Sequence, residues 1–184
     1  MRTLLVTSSV FALALAGTAH ATTYHYSGAA CQPEQASDAA LAWTNGAGIG
    51  NKDTAPFGNP INVVCPLVGM ESSTQTETEL KARLWDGNGG ALGIGGFWQI
   101  DSVGLGTAYW SSIKYACAAA NGCSSPTSFT GGGYVRWTGG ELFAPPITNF
   151  STYSFRAMIP GRCYDTSCYA MSWVQAYWAS HVER

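Results

Sequence analysis

The residues of this chain that could do chemistry are few and widely spaced. Glu77 and Glu79 stand two apart on an alternating segment, the relation that places two carboxylates on one strand face. That spacing suits the acid–base pair of glycoside hydrolysis, although such pairs usually come from different elements around a cleft. The same face carries Lys81 and Arg83, so a solvated strand face is the preferred reading. Beyond residue 21 there are two histidines, His25 and His181, one near each end. Without a Gly-x-Ser-x-Gly turn, a neighbouring cysteine or a third placed ligand, they read as surface residues on terminal segments. Asp86-Gly87-Asn88-Gly89-Gly90 opens like an oxygen-rich calcium loop, but Phe97 stands where an EF-hand needs its final acid. A looser calcium site with Asp53 or Asp101 is a weaker reading than a plain hairpin turn. No catalytic residue, metal ligand or cofactor is assigned.

Aromatic content rises above background. Seven Trp and nine Tyr are more rings than a sandwich core of this length needs. Trp85 alternates with the core on the face of Glu79, Lys81 and Arg83, and Trp178 alternates away from Trp173 and Tyr177. Exposed Trp and Tyr cover large area with little loss of side-chain entropy and stack on sugar C–H faces. A glycan platform would draw on Trp85, Trp178 and Trp137, with Arg83 and Asp86 supplying hydrogen bonds. The competing reading is that these rings fill the core and cap its edges.

The compartment follows from the first residues. Arg2 precedes a short apolar run from Leu4 to Ala16, and Ala19-His20-Ala21 offers small residues where a signal peptidase reads them. Residues 1–21 therefore read as a signal peptide and 22–184 as one exported domain, secreted or periplasmic. All six cysteines lie beyond that point: Cys31, Cys65, Cys117, Cys123, Cys163 and Cys168. Oxidised pairs are preferred there over zinc ligation. Six cysteines permit about 15 pairings. Spacing favours short loops for Cys117 with Cys123 and for Cys163 with Cys168, leaving Cys31 for Cys65. Gly28-Ala29-Ala30-Cys31 lacks the leucine and the apolar run of a lipoprotein cleavage site, so no lipid anchor is expected.

Charge narrows the partners. Nine basic residues, less Arg2 of the leader, leave eight against eleven acids. The cations are scattered singly, which argues against nucleic acid, whose binding needs a clustered positive surface. No apolar run beyond the leader approaches the roughly 20 residues of a membrane span.

The elements that must position these residues are strands. Apolar residues recur with period 2 in Ile61 to Leu67, Glu79 to Trp85, Ile113 to Cys117 and Tyr153 to Ile159. Tyr169 to Trp178 is apolar on both faces and reads as a central strand. Asp86 to Gly90 is expected to turn a hairpin into a strand from about Ala91 to Ile100. Gly131 to Gly133 and Gly139-Gly140 bracket a strand around Tyr134 to Trp137. The single helix candidate is Pro33 to Trp43. Eight or nine short strands predict an all-β, antiparallel, jelly-roll-like sandwich with disulfides.

Several short motifs add a resemblance. They are Tyr26-Ser27-Gly28 ahead of Cys31, the Gly/Asn stretch from Gly46 to Asn51, Val64-Cys65-Pro66, an alternating strand ending at Pro160, and an aromatic final strand ending near Glu183. In this order the chain resembles a loosely defined group of uncharacterised secreted bacterial proteins. It departs from the group at Ala157, a cysteine position before the proline, and in its local Cys163/Cys168 loop. The resemblance implies a jelly-roll-like sandwich with the first two cysteines paired, and implies no activity. Non-catalytic binding of a glycan or cell-envelope surface is the expected function. The alternatives are a structural component of an extracellular layer and a small hydrolase using Glu77, Glu79 or Asp101.

Overall fold

A computed structural model describes residues 21–55, 59–67, 75–87, 93–102, 107–111, 113–116, 131–138, 151–164, 167–168 and 171–183. Residues 1–20 of the expected 1–21 leader, and the expected Cys117–Cys123 pair, lie outside them.

The alternating segments form two antiparallel sheets packed face to face. The first contains β1 (Ala21–Ser27), β3 (Ala42–Asn45), β4 (Gly48–Asn51), β6 (Gln75–Asp86), β10 (Gly131–Thr138) and β14 (Trp173–Glu183). The second contains β2 (Gln32–Pro33), β5 (Ile61–Leu67), β7 (Ile94–Ser102), β8 (Thr107–Trp110), β9 (Lys114–Ala116) and β11 (Ser151–Ile159). The first sheet runs β10-β6-β14-β4-β3, with β1 also on β14; the second runs β2-β5-β11-β7-β8, with β9 also on β7. A ribbon of β12 (Cys163–Tyr164) and β13 (Ser167–Cys168) stands apart. The long strands β5, β6, β7, β10, β11 and β14 alternate between sheets, except that β8 and β9 stay with β7. This is a jelly-roll-like sandwich.

Period-2 patterning fixes which side chains go inside. Leu80, Ala82 and Leu84 of β6 are fully buried, as are Ile61, Val63 and Cys65 of β5. At the centre, Trp98 and Phe155 from the second sheet meet Trp137 and Tyr177 from the first, with ring centroids 5.9–6.4 Å apart. Offset and edge contacts of this kind add about 0.5–1.5 kcal/mol each beyond the area they bury.

Polar groups inside are tied between the layers. Asn51, wholly buried, donates to the carbonyls of Asn59 and Ile159 at 2.8 and 3.0 Å and accepts from the Asp53 N–H at 2.9 Å. The Tyr177 hydroxyl crosses from β14 to donate to the Pro66 carbonyl at 2.6 Å. Cys31, after the 3-10 turn Gly28–Ala30, is bonded to Cys65 of β5, as expected. Cys163 and Cys168 are directly opposed in the β12–β13 register.

Three local expectations are corrected. The helix is confined to Ala36–Leu41, because the chain becomes extended at Ala42 and Trp43 joins β3. Asp86-Gly87 does not open a β6–β7 hairpin, because β6 and β7 belong to different sheets. Ile113 falls before β9 and is 54% exposed rather than core-facing.

Two measurements probe this architecture. A Cys31→Ala, Cys65→Ala double variant removes a bridge spanning 34 positions. It should lose about 4 kcal/mol of stability in urea unfolding, before any relief of strain. Burial, and secondarily the neighbouring Tyr26, push the Tyr177 phenol well above its ordinary value. The unfolded chain therefore loses this proton first, so its stabilising effect is complete below about pH 10 and declines above it. Tyr177→Phe should cost about 1 kcal/mol at neutral pH and show a shallower alkaline decline in stability.

Candidate functional site

The outer face of the first sheet carries an open aromatic cleft. Its construction begins with the hairpin β3–β4. Asn45 accepts from the N–H groups of Ala47 and Gly48 at 2.8 and 3.2 Å, closing the turn. The resulting register places Trp43 opposite Gly50, Gly50 opposite Trp173 of β14, and Trp173 opposite Trp85 of β6. Cross-strand partners share a face, so three tryptophans and one glycine form a single row across four strands. At about 4.8 Å per strand the row spans roughly 14 Å between its outermost Cα atoms.

Glycine in the row leaves a gap between the rings. A Cβ on Gly50 would lie 3.0 Å from the Ser172 carbonyl oxygen and 3.1 Å from both Met171 Sδ and Trp173 Cβ. The space so left is an open cleft of about 310 Å³ lined by Trp43, Trp85, Met171, Trp173 and Gln175. Trp43 and Trp173 are tilted at 58° with centroids 6.0 Å apart, which forms a V rather than a sandwich. Gln175 contributes the polar element: its Oε1 is buried without a hydrogen-bond partner among the described residues. Among the described residues the lining consists of large apolar faces and one amide side chain, with no ionised group.

The expected site residues are distributed differently. Trp85 lines the cleft and is 36% exposed. Arg83 is exposed on the same face, two residues along β6. Trp137 is corrected: it is wholly buried in the central aromatic cluster, because its position on β10 alternates inward with Val135. Asp86 is corrected too. It is 4% exposed and accepts from the Ser172 hydroxyl at 3.2 Å, while Ser172 Oγ accepts from the Gly87 N–H at 3.1 Å. This carboxylate closes the end of β6 instead of facing a ligand.

Trp178 is on the outer face, stacked on His25 at 5.7 Å, with Lys81 Nζ 6.0 Å from its ring centroid. Strict alternation sets Trp178 on the face opposite Trp173, but a register shift between Val174 and Ala176 gives β14 an extra residue. Trp173 and Trp178 consequently share the outer face. Two cleft residues carry no site expectation from the sequence: Trp43, at the end of the expected helix, and Trp173, on a strand expected to be apolar on both faces. The Asn45-Gly46 turn signal after Trp43 was available for the first. Nothing in the alternation announced the second.

The remaining chemical candidates do not converge. Glu79 is ion-paired to both Lys81 and Arg136. A further register shift falls between Glu77 and Glu79, interrupting the alternation on which a shared face rests. His25 is opposite Trp178 and His181 opposite Thr22, three rungs or roughly 10 Å apart along the ladder. Asp53 spends its carboxylate on the Ala55 and Asn59 N–H groups of its own loop. No group of three or more His, Cys, Asp or Glu among the described residues is arranged to hold a metal ion. Among the described residues, no helix is long and apolar enough to cross a membrane.

Compared with known proteins, the chain matches no family model and no curated protein.

The division between cleft and core rings is open to chemical modification. Limited oxidation of the folded protein with N-bromosuccinimide, read by peptide mass spectrometry, should modify Trp85 first. Trp98 and Trp137, which are 1% and 0% exposed, should stay intact until unfolding.

Proposed function

We propose that this protein is an exported, non-catalytic glycan-binding module whose ligand rests in the Trp43–Trp85–Trp173 cleft. The carrying observation is the cross-sheet row in which three strands contribute a tryptophan each around the Gly50 gap. Sugar rings present C–H faces that dock on indole, and the Gln175 side chain is the polar member of the lining. A shallow, open, preformed site suits an extended or projecting ligand better than an enclosed small molecule. The leader expected from residues 1–21 and the Cys31–Cys65 bridge support function outside the cytoplasm, where such ligands occur.

The test is a titration of the mature chain with soluble oligosaccharides and polysaccharides, followed by tryptophan fluorescence and calorimetry. Trp85→Ala and Trp173→Ala should each weaken binding about tenfold, equivalent to roughly 1.4 kcal/mol for a lost ring contact. Both substitutions are on the outer face, so near-native urea midpoints should accompany the loss. Retention on none of the glycans, or binding indifferent to both substitutions, refutes the assignment.

A further inference from the structure

The aromatic cleft is one end of a longer surface whose charge differs from that of the whole chain. Along β6 the outward positions after Trp85 are Arg83, Lys81 and Glu79. Such positions recur about every 6.7 Å, so the two cations lie roughly 7 and 13 Å from Trp85, measured along the strand. Arg136 of β10 is opposite Lys81 and 61% exposed. Its guanidinium and the Lys81 ammonium share one carboxylate, that of Glu79, which is itself only 16% exposed. One carboxylate cannot neutralise two cations. Lys81 and Arg136 with Glu79 therefore carry an excess of one positive charge, on a chain with eleven acids and nine bases. Trp178, stacked on His25, places a second aromatic surface in the Lys81 row.

Resting on the glycan-binding reading above, we infer that the ligand is an acidic polysaccharide, laid from the Trp cleft along β6 toward Lys81 and Arg136. An uncharged glycan would use the rings alone. A polyanion gains in addition from cations placed in line with them, by charge-assisted hydrogen bonds and release of its counterions. The guanidinium of Arg136, 61% exposed, is suited to the planar, two-oxygen geometry of a carboxylate.

Matched pairs of polymers isolate the charge. Polygalacturonate is compared with its fully methyl-esterified form, and dextran sulfate with dextran, at low ionic strength and at about 0.5 M salt, where screening is nearly complete beyond a few ångströms. The expected result is at least about tenfold tighter binding of the acidic member of a pair at low salt, with the preference collapsing at high salt. Arg136→Gln and Lys81→Gln should each lower affinity for the acidic polymer several-fold and flatten its salt dependence. Their binding of the neutral partner should stay unchanged, whereas Trp85→Ala should weaken both. Equal affinity for both members of each pair, or a preference insensitive to salt, overturns the inference and leaves the glycan reading standing. Failure to bind these polymers and every neutral glycan overturns both readings. Binding to phosphatidylglycerol vesicles without binding any polysaccharide overturns both in favour of an anionic lipid surface.

Discussion

The outer face depends on how β14 changes neighbours. On one side this strand pairs with β6 along its length; on the other it pairs with β4 at Trp173 and Val174, then with β1 from Ala176 onward. Gln175 falls at the handover, and the register with β6 shifts at the same place. The Val174 carbonyl is accommodated there only because Gly28 and Gly48 lack side chains: a Cβ on either would lie 2.1 Å from its oxygen. Since a backbone atom cannot swing aside as a side chain can, both positions exclude anything larger than hydrogen. From this one irregularity follow the shared face of Trp173 and Trp178, and the position of Gln175 in the cleft. The bulge re-aims side chains next to the candidate site, a common placement for such features.

Core and cleft make opposite demands on the same residue type. Trp98 and Trp137 meet edge to face at 85° inside the sandwich, where packing density leaves no room for rearrangement. Trp43, Trp85 and Trp173 are held by register on a surface, with a glycine gap keeping space between them. The layers beneath are fastened by connections of different chemistry: the Cys31–Cys65 bridge, the Asn51 side chain and the Tyr177 hydroxyl. Each joins elements far apart in the chain, so the outer face inherits its rigidity from non-local contacts. That arrangement limits the ordering that a bound ligand would have to impose.

The antiparallel sandwich was legible because period-2 alternation is a direct record of burial. Leu80, Ala82 and Leu84 are inside, and Lys81, Arg83 and Trp85 outside, as their spacing predicts. What alternation cannot register is an insertion of one residue, since the pattern on each side stays locally correct. Alternation therefore sets Trp178 and Trp173 on opposite faces, which the bulge brings onto one. Trp137 shows the complementary difficulty: on a short strand flanked by glycines, nothing distinguishes an inward from an outward ring until the opposing sheet is known. Asp86-Gly87 carries a genuine turn signal, yet local chemistry is silent on whether a turn leads to the adjacent strand or across to the other layer. The partnership of Asp86 with Ser172 is separated by 86 positions and has no local signature.

The pairing of β1 with β14 has a mechanical consequence. Ala21 is opposite Val182 and Ser27 opposite Ala176, so the outer ends of both strands emerge at the same edge of the ladder. Tension applied through those two ends would load the rungs one after another and peel the strands apart. Pulled in parallel, as in a shear geometry, all seven register pairs would instead share the load. An attachment through a single end, with the opposing pull delivered at the tryptophan cleft, would bypass this peeling line and draw on the body of the sheet.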